Sequence, residues 1–335
     1  MTTRTLSDIL RGTVAGDMQT VGVMQVIPLL GRATNNAVAL VSDVRVSNTN
    51  YGHMKFNNQA DLPAIVPQHA GYLTNYKAQD HATPVAVMVN KVAELNTAMC
   101  IESSRGGQMR GDGTEELIIM PFQLRETAFN TRNINGYSKL WKEIANFSKR
   151  LGSSVGGHIN RFLDAFRDQV EHFVAEFELL DNQVGAVILI NGHLVGVERY
   201  ASAVHFAEVW ETIIRDCYGT LAQEVAEVER IRAVDTRVEL GEGFTNLDDI
   251  IDGLLQADAT EREAVSSLLR SVMNEPLVVV AEGEHSVIGW RLETYKNDHF
   301  VGQAITSGSD VLYASIIATQ YRRSREPNEV LALAV

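Results

Sequence analysis

Cysteine, proline and long apolar runs are all scarce in this sequence, and each shortage removes a class of protein. Two cysteines, Cys100 and Cys217, are too few for a disulfide framework or a thiolate metal site, and both sit in apolar runs where buried free thiols are expected. Seven prolines, no biased tract, 45% hydrophobic and 21% charged residues describe a folded chain, not a disordered one. No window approaches the ~18 uninterrupted apolar residues of a membrane span. The start, MTTRTLSDILRGTVAGDMQ, lacks the basic segment, apolar core and small-residue cleavage site of a signal peptide. The expectation is a cytoplasmic protein (virion-associated if phage-encoded) with no membrane partner.

Positive charge is short as well. Lys and Arg number 29 against 42 Asp and Glu, and the net charge of -13 repels nucleic acid unless a basic patch overrides it. The densest basic runs, Lys149-Arg150 and Arg322-Arg323 with Arg325, are too short to track a phosphate backbone. No direct nucleic-acid partner is expected.

What is present is periodicity. Residues 21–31, 37–48, 83–95, 97–102 and 115–124 are Val- and Ile-rich runs separated by Gly, Asn and Pro clusters, which predicts strands. Residues 51–81 show neither helix nor strand period, and such an insertion reads as a functional loop or an arm onto a neighbouring subunit. From Leu140 to Leu151 apolar residues follow a helix face, with Gly152 as the stop. Ile159, Phe162, Leu163, Phe166, Val170, Phe173, Val174 and Phe177 recur at intervals of three and four, a stripe suited to core packing or a helix interface.

VGAVILI and HLVGVERY are predicted strands joined by Asn191-Gly192, whose residues both accept positive φ in a type I′ turn. Ser202 is the expected cap of a following helix whose Phe206, Val209, Trp210, Ile213, Ile214 and Cys217 form one face. Residues 221–232 prolong or follow it. Residues 247–257 and 259–275 read as two more helices, the second with a Thr260/Glu263 capping box. Strands return at 277–283, 286–294, 300–306 and 311–319. Strands, then helices, then strands predict an α+β fold, with mostly antiparallel sheets at both ends packed around amphipathic helices. The expected organisation is an N-terminal arm (1–17), a β-rich part (18–135) with the long loop 51–81, a helical and α+β part (136–320) and a tail (321–335) that is loose or docks on a partner.

Several segments in order, MQVIPLLG, VAELNTAMCIESSRGG, SKLWKEIA, DNQVGAVILINGHLVGVERYASAVHFAEVWETIIRDCY and IGWRLETYKNDHFVGQAITSGSDVLYASIIA, resemble the ARG and Rhodanese-Phosphatase-superfamily-associated Protein domain family. ARG there is ADP-ribosylglycohydrolase. The likeness runs from about residue 18 to about residue 319. It implies a link to enzymes of ADP-ribose and phosphoester metabolism in prokaryotic and phage conflict systems, and it carries over no reaction. Where the family tends to read Glu-x-Gly-Arg-Trp after the Cys-containing strand, this chain reads Glu102-Ser103-Ser104-Arg105-Gly106-Gly107, without the aromatic.

The best local candidate for chemistry is CIESSRGGQMRGDG, residues 100–113. Glu102 ends a strand, and the Gly-rich loop after it carries Arg105, Gly106, Gly107 and Arg110, whose backbone N–H groups and guanidinium forks suit a phosphate or carboxylate. The spacing matches neither a P-loop nor a dinucleotide fingerprint, so no cofactor is expected, and a plain surface loop is the competing reading. Glu198, beside Gly196, is either an acid or base or a structural partner for an arginine such as Arg105. His193 follows a turn and is expected in solvent. The histidines are scattered, with no metal spacing, and no HExxH or nucleophile elbow occurs, so no metal is expected.

Three readings follow. The first is a self-associating, non-catalytic or ligand-sensing homo-oligomer of the ADP-ribose-linked conflict group, with a phosphate-containing small molecule as ligand. The second is an enzyme acting on an ADP-ribosyl or phosphoester compound, with Glu102 or Glu198 as catalytic base and Arg105, Gly106, Gly107 and Arg110 binding the ligand. The third is a structural assembly protein of a phage particle or shell, laced together by arms.

Overall fold

The computed structural model describes residues 3–32, 38–103, 105–152, 156–233 and 270–319, together with Ala259, Glu263, Ser266 and Ser267. The chain opens with β1 (Thr3–Thr5), a short helix α1 (Leu6–Ile9), β2 (Thr13–Ala15), β3 (Gln19–Val21) and β4 (Met24–Gly31). Short strands follow: β5 (Val44–Asn50), β6 (His53–Asn58), β7 (Ala64–Val66), β8 (Ala70–Leu73), β9 (His81–Ala82), β10 (Val87–Val89), β11 (Val92–Leu95), β12 (Met99–Cys100) and β13 (Glu116–Ile119). Helices α2 (Phe122–Asn130), α3 (Trp141–Arg150) and α4 (Ile159–Glu176) lead to the hairpin β14 (Gln183–Ile190) and β15 (His193–Tyr200). Helix α5 (Ala203–Thr212) passes through a π-helical segment, Ile213–Gly219, into α6 (Thr220–Ala233). Strands β16 (Pro276–His285), β17 (Trp290–Lys296), β18 (Phe300–Ser307) and β19 (Asp310–Ala318) close the described chain.

The α+β expectation is met. A ten-stranded sheet runs in the order β1-β16-β17-β18-β19-β15-β14-β4-β2, with β3 also on β4, and its ladders are antiparallel. Both faces of its centre are covered, which is why VGAVILI reads as an unbroken apolar run and not as an alternation. Ala186, Ile188 and Ile190 of β14 face the helices, and Val187 and Leu189 enter a second cluster with Leu6 and Ile9 of α1. The sequence-expected face from Phe206 to Cys217, on α5 and the π-helical segment, is buried in the first of these. A third cluster joins α2, α3 and α4 to β8, β12 and β13, and the Phe162 and Phe166 rings of the expected stripe stack within it at 4.6 Å.

Two bulges set the inward polar row of this sheet. The register of β14 with β15 passes from Leu189–Leu194 to Ile188–Gly196, so Val195 is the extra residue. A similar step between Ile305 and Thr306 makes Leu312 the extra residue of β19. Each bulge reverses the alternation beyond it. Glu198 and Ser315 thereby become cross-strand partners, on the helix-bearing face beside Arg125 of α2.

Several sequence expectations need correction. Residues 51–81 are no extended loop or arm: they carry β6, β7, β8 and the start of β9, and Ala64 to Leu73 are buried. Strands this short, covered on both sides, leave no period to read. Residues 3–15 are likewise no arm, since β1 pairs with β16 and β2 with β4. The run 115–124 breaks at Pro121, after which Phe122–Asn130 is helical. Ser202 is the N-cap of α5 but makes no capping bond; its hydroxyl lies 2.7 Å from His205 Nδ1. The expected helix at 247–257, the Thr260/Glu263 box and the tail lie wholly or partly outside the described residues. The Asn191-Gly192 turn is as expected, with φ of 52° and 73°.

Candidate functional site

The two glutamates singled out in the sequence sit in two different polar centres. Glu198 lies in the core, 1% exposed, where Arg125 Nη1 donates to its Oε1 at 2.7 Å and Tyr218 OH donates to the same oxygen at 2.8 Å. The partner expected for it was Arg105; the structure supplies Arg125. Arg125 also donates through Nε to His69 Nδ1 at 3.1 Å and through Nη2 to the Ser315 hydroxyl, and its Nη1 is 3.3 Å from Cys217 Sγ. Burial is the largest single influence and opposes the guanidinium charge, but Glu198, Cys217 and Tyr218 together outweigh it and hold the Arg125 pKa well above its ordinary value. Burial and then Arg125 push His69 well below the usual imidazole range, so it is neutral. Burial lifts the Cys217 thiol to about 12 and the Cys100 thiol to about 11, so neither is a nucleophile at neutral pH. Gly196 is required here: a Cβ at this position would overlap the Tyr218 hydroxyl.

Glu102 lies in the second centre. Strand β12 leads into it, and β9 is held alongside by the Cys100–His81 register and by Ile101 N donating to Asp80 O at 3.0 Å. This brings the Asp80 and Glu102 carboxylates into electrostatic contact. On the other side Glu102 bridges to His158, Ser103 N donates to Gly157 O at 3.1 Å, and α4 begins. Glu102 Oε1 is 3.3 Å from Arg105 Nε and 3.5 Å from His158 Nδ1. Asp80 Oδ1 accepts from Thr74 N at 2.7 Å and Thr74 Oγ1 at 2.9 Å. The opposite carboxylate oxygens, Asp80 Oδ2 and Glu102 Oε2, are buried and have no hydrogen-bond partner among the described residues, as do Arg105 Nη1 and Asn160 Nδ2.

Electrostatics here differ from those of the core. Burial pushes the Asp80 carboxyl up to about 6, against the Thr74 hydrogen bonds. Burial also raises Glu102, with Arg105 and Arg161 pulling the other way. Burial, Arg161 and Arg105 lower His158. The rim is held by Tyr76, whose ring lies 4.8 Å from the Arg105 guanidinium carbon and whose hydroxyl donates to Asp164. Asn75 and Tyr76 both adopt left-handed backbone, φ 49° and 66°, an unfavourable conformation for side-chain-bearing residues and one that clusters at ligand sites.

The model of the ARG and Rhodanese-Phosphatase-superfamily-associated Protein domain, ARPP-1, matches residues 12–316. The chain belongs to this family. No curated protein and no solved structure matches it. The ARPP-1 match spans both polar centres, from Thr74 and Asp80 through Arg125 and Glu198 to Ser315.

Of the ligand-binding residues expected in this ARPP-1 chain, Arg105 is in the Glu102 centre. Gly107, φ 108°, accepts from Gln79 N, and a Cβ there would sit 3.5 Å from Ala78 Cα. Gly106 is exposed. Arg110 is exposed and bridges to Ser47 of β5. His193 is exposed. Sequence reasoning missed Asp80, His158, Asn160, Tyr76 and Arg161. Among the described residues no group of three or more His, Cys, Asp or Glu could hold a metal ion, and no helix is long and apolar enough to cross a membrane.

Proposed function

We propose that this ARPP-1 protein is a ligand-sensing protein that binds a phosphate-bearing small molecule at the Glu102 centre. One observation carries the reading: Asp80 Oδ2 and Glu102 Oε2 are buried without partners among the described residues, beside the Arg105 guanidinium, and groups buried in that state are costly unless an occupant satisfies them. Arg105, with Arg161 in electrostatic reach of Glu102, supplies positive charge for the phosphate. Self-association, a cytoplasmic location and a place in an ADP-ribose-linked prokaryotic or phage conflict system belong to the same proposal. Light scattering showing a strict monomer at micromolar concentration would remove the first of these.

The test is calorimetric titration with inorganic pyrophosphate, AMP and ADP-ribose. Saturable binding of at least one, weakened tenfold or more by Arg105→Ala, is expected. Failure of all three to bind would overturn the reading.

A second reading, an enzyme acting on an ADP-ribosyl or phosphoester compound, is favoured by the Asp80 carboxyl at about 6 beside Glu102. That pair offers a proton donor and a base near neutral pH. Product formation from an ADP-ribosyl substrate, lost in Glu102→Gln, would select it. The third reading, structural assembly, depended on arms, and residues 3–15 and 51–81 belong to the fold.

A further inference from the structure

We infer that the occupant of the Glu102 centre is a sugar phosphate, with vicinal hydroxyls on Asp80 and Glu102 and the phosphate on Arg105 and the start of α4. The inference rests on the reading of this centre as a ligand site and goes further by naming the chemistry of both ends of the ligand.

The hydroxyl end follows from the acceptors. Each carboxylate has one committed oxygen, Asp80 Oδ1 to Thr74 and Glu102 Oε1 to Arg105, and one free oxygen. The two come from chain segments joined by the Ile101–Asp80 backbone bond, and the two carboxylates are in electrostatic contact. Two adjacent hydroxyls supply two donors with no net charge. An ammonium group would meet the positive field of Arg105 and Arg161, which already disfavours a charge on His158.

The phosphate end follows from the donors. Arg105 uses Nε on Glu102 and leaves Nη1 without a partner, and Asn160 Nδ2, in the first turn of α4, is buried without one. This 18-residue helix starts without a side-chain cap and without an acidic residue in its first turn, so its dipole favours an anion beside Asn160, although Ile159 N already donates to Ile101 O at 3.1 Å. The approach is built for closeness, because a Cβ at Gly157 would sit 2.9 Å from Ser103 Oγ. Donors for a phosphate thus lie beside acceptors for a diol.

The experiment is calorimetric titration of the wild-type protein with ribose 5-phosphate, 2-deoxyribose 5-phosphate and inorganic phosphate. Ribose 5-phosphate is expected to bind at least tenfold tighter than either other probe. Asp80→Asn and Glu102→Gln are expected to bring the affinities for ribose 5-phosphate and 2-deoxyribose 5-phosphate together. Equal affinity for the three probes in the wild type would overturn the inference and leave the phosphate-binding reading intact. If ribose 5-phosphate fails to bind, the inference is also overturned, whereas loss of the general reading needs pyrophosphate, AMP and ADP-ribose to fail too. The comparison of ribo and deoxy probes needs no variant, so a misfolded substitution cannot decide it.

Discussion

The Arg125–Glu198 and Arg105–Glu102 pairs are both embedded in this fold, but they are embedded differently. Around Glu198 the donors and acceptors close on one another at all but one atom, the buried His69 Nε2, which has no partner among the described residues: Arg125 reaches Glu198, His69, Ser315, Cys217 and Tyr218, and Tyr218 returns to Glu198. Its members come from α2, β15, β19, the π-helical segment and the loop before β8, so the network ties together elements distant in sequence. Around Glu102 each carboxylate is half satisfied, Arg105 is partly exposed, and the neighbouring turn holds left-handed Asn75 and Tyr76. A closed polar network specifies one packing. A half-open one at the edge of a core is where a protein gives up stability for binding. The difference is what the proposal rests on: it favours an architectural role for Glu198, two residues from Gly196, and makes Glu102, in the best local candidate of the sequence, the functional one.

The largest effect that could break this comparison is removal of Arg125. Arg125→Ala strands Glu198 in the core, and chemical denaturation is expected to register a loss of about 3–5 kcal/mol. Gly196→Ala should cost about 3 kcal/mol in the same assay, since the new methyl displaces the Tyr218 hydroxyl from Glu198.

The Glu102 side is sharpened by pH. The folded Asp80 carboxyl, at about 6, binds its proton more tightly than the unfolded one at 3.8. Its contribution is therefore fully present below about pH 4 and is lost as pH rises through 6. The stability of wild type minus that of Asp80→Asn should fall by about 1–3 kcal/mol between pH 4 and pH 7. A flat difference would contradict the assignment. Smallest is the hairpin turn, far from both centres: Asn191→Ala, at φ 52°, should cost about 1 kcal/mol and leave ligand binding unchanged in calorimetry.

Much of the fold was legible because its signals are local. Asn191-Gly192 names its own turn, and the Phe162/Phe166/Phe173 stripe names the buried face of α4. The segment 51–81 was opaque for the opposite reason: β7 and β9, three and two residues long, are too brief to show a period, and burial on both sides erases polarity. Of the site, Glu102 and Arg105 were readable as an acid followed at three residues by an arginine. Asp80 was not, because only the pairing of β9 with β12 brings it there. The mistaken pairing of Glu198 with Arg105 has the same origin. Arg125 is 73 residues from Glu198, and two bulges, invisible in the sequence, turn Glu198 and Ser315 toward it.

The most direct measurement is side-by-side chemical denaturation of Glu198→Gln and Glu102→Gln at pH 7. If one centre is architecture and the other a ligand site, Glu198→Gln loses about 3–5 kcal/mol, and Glu102→Gln stays within about 1 kcal/mol of wild type. Equal losses from the two substitutions, or a greater loss from Glu102→Gln, would contradict the account.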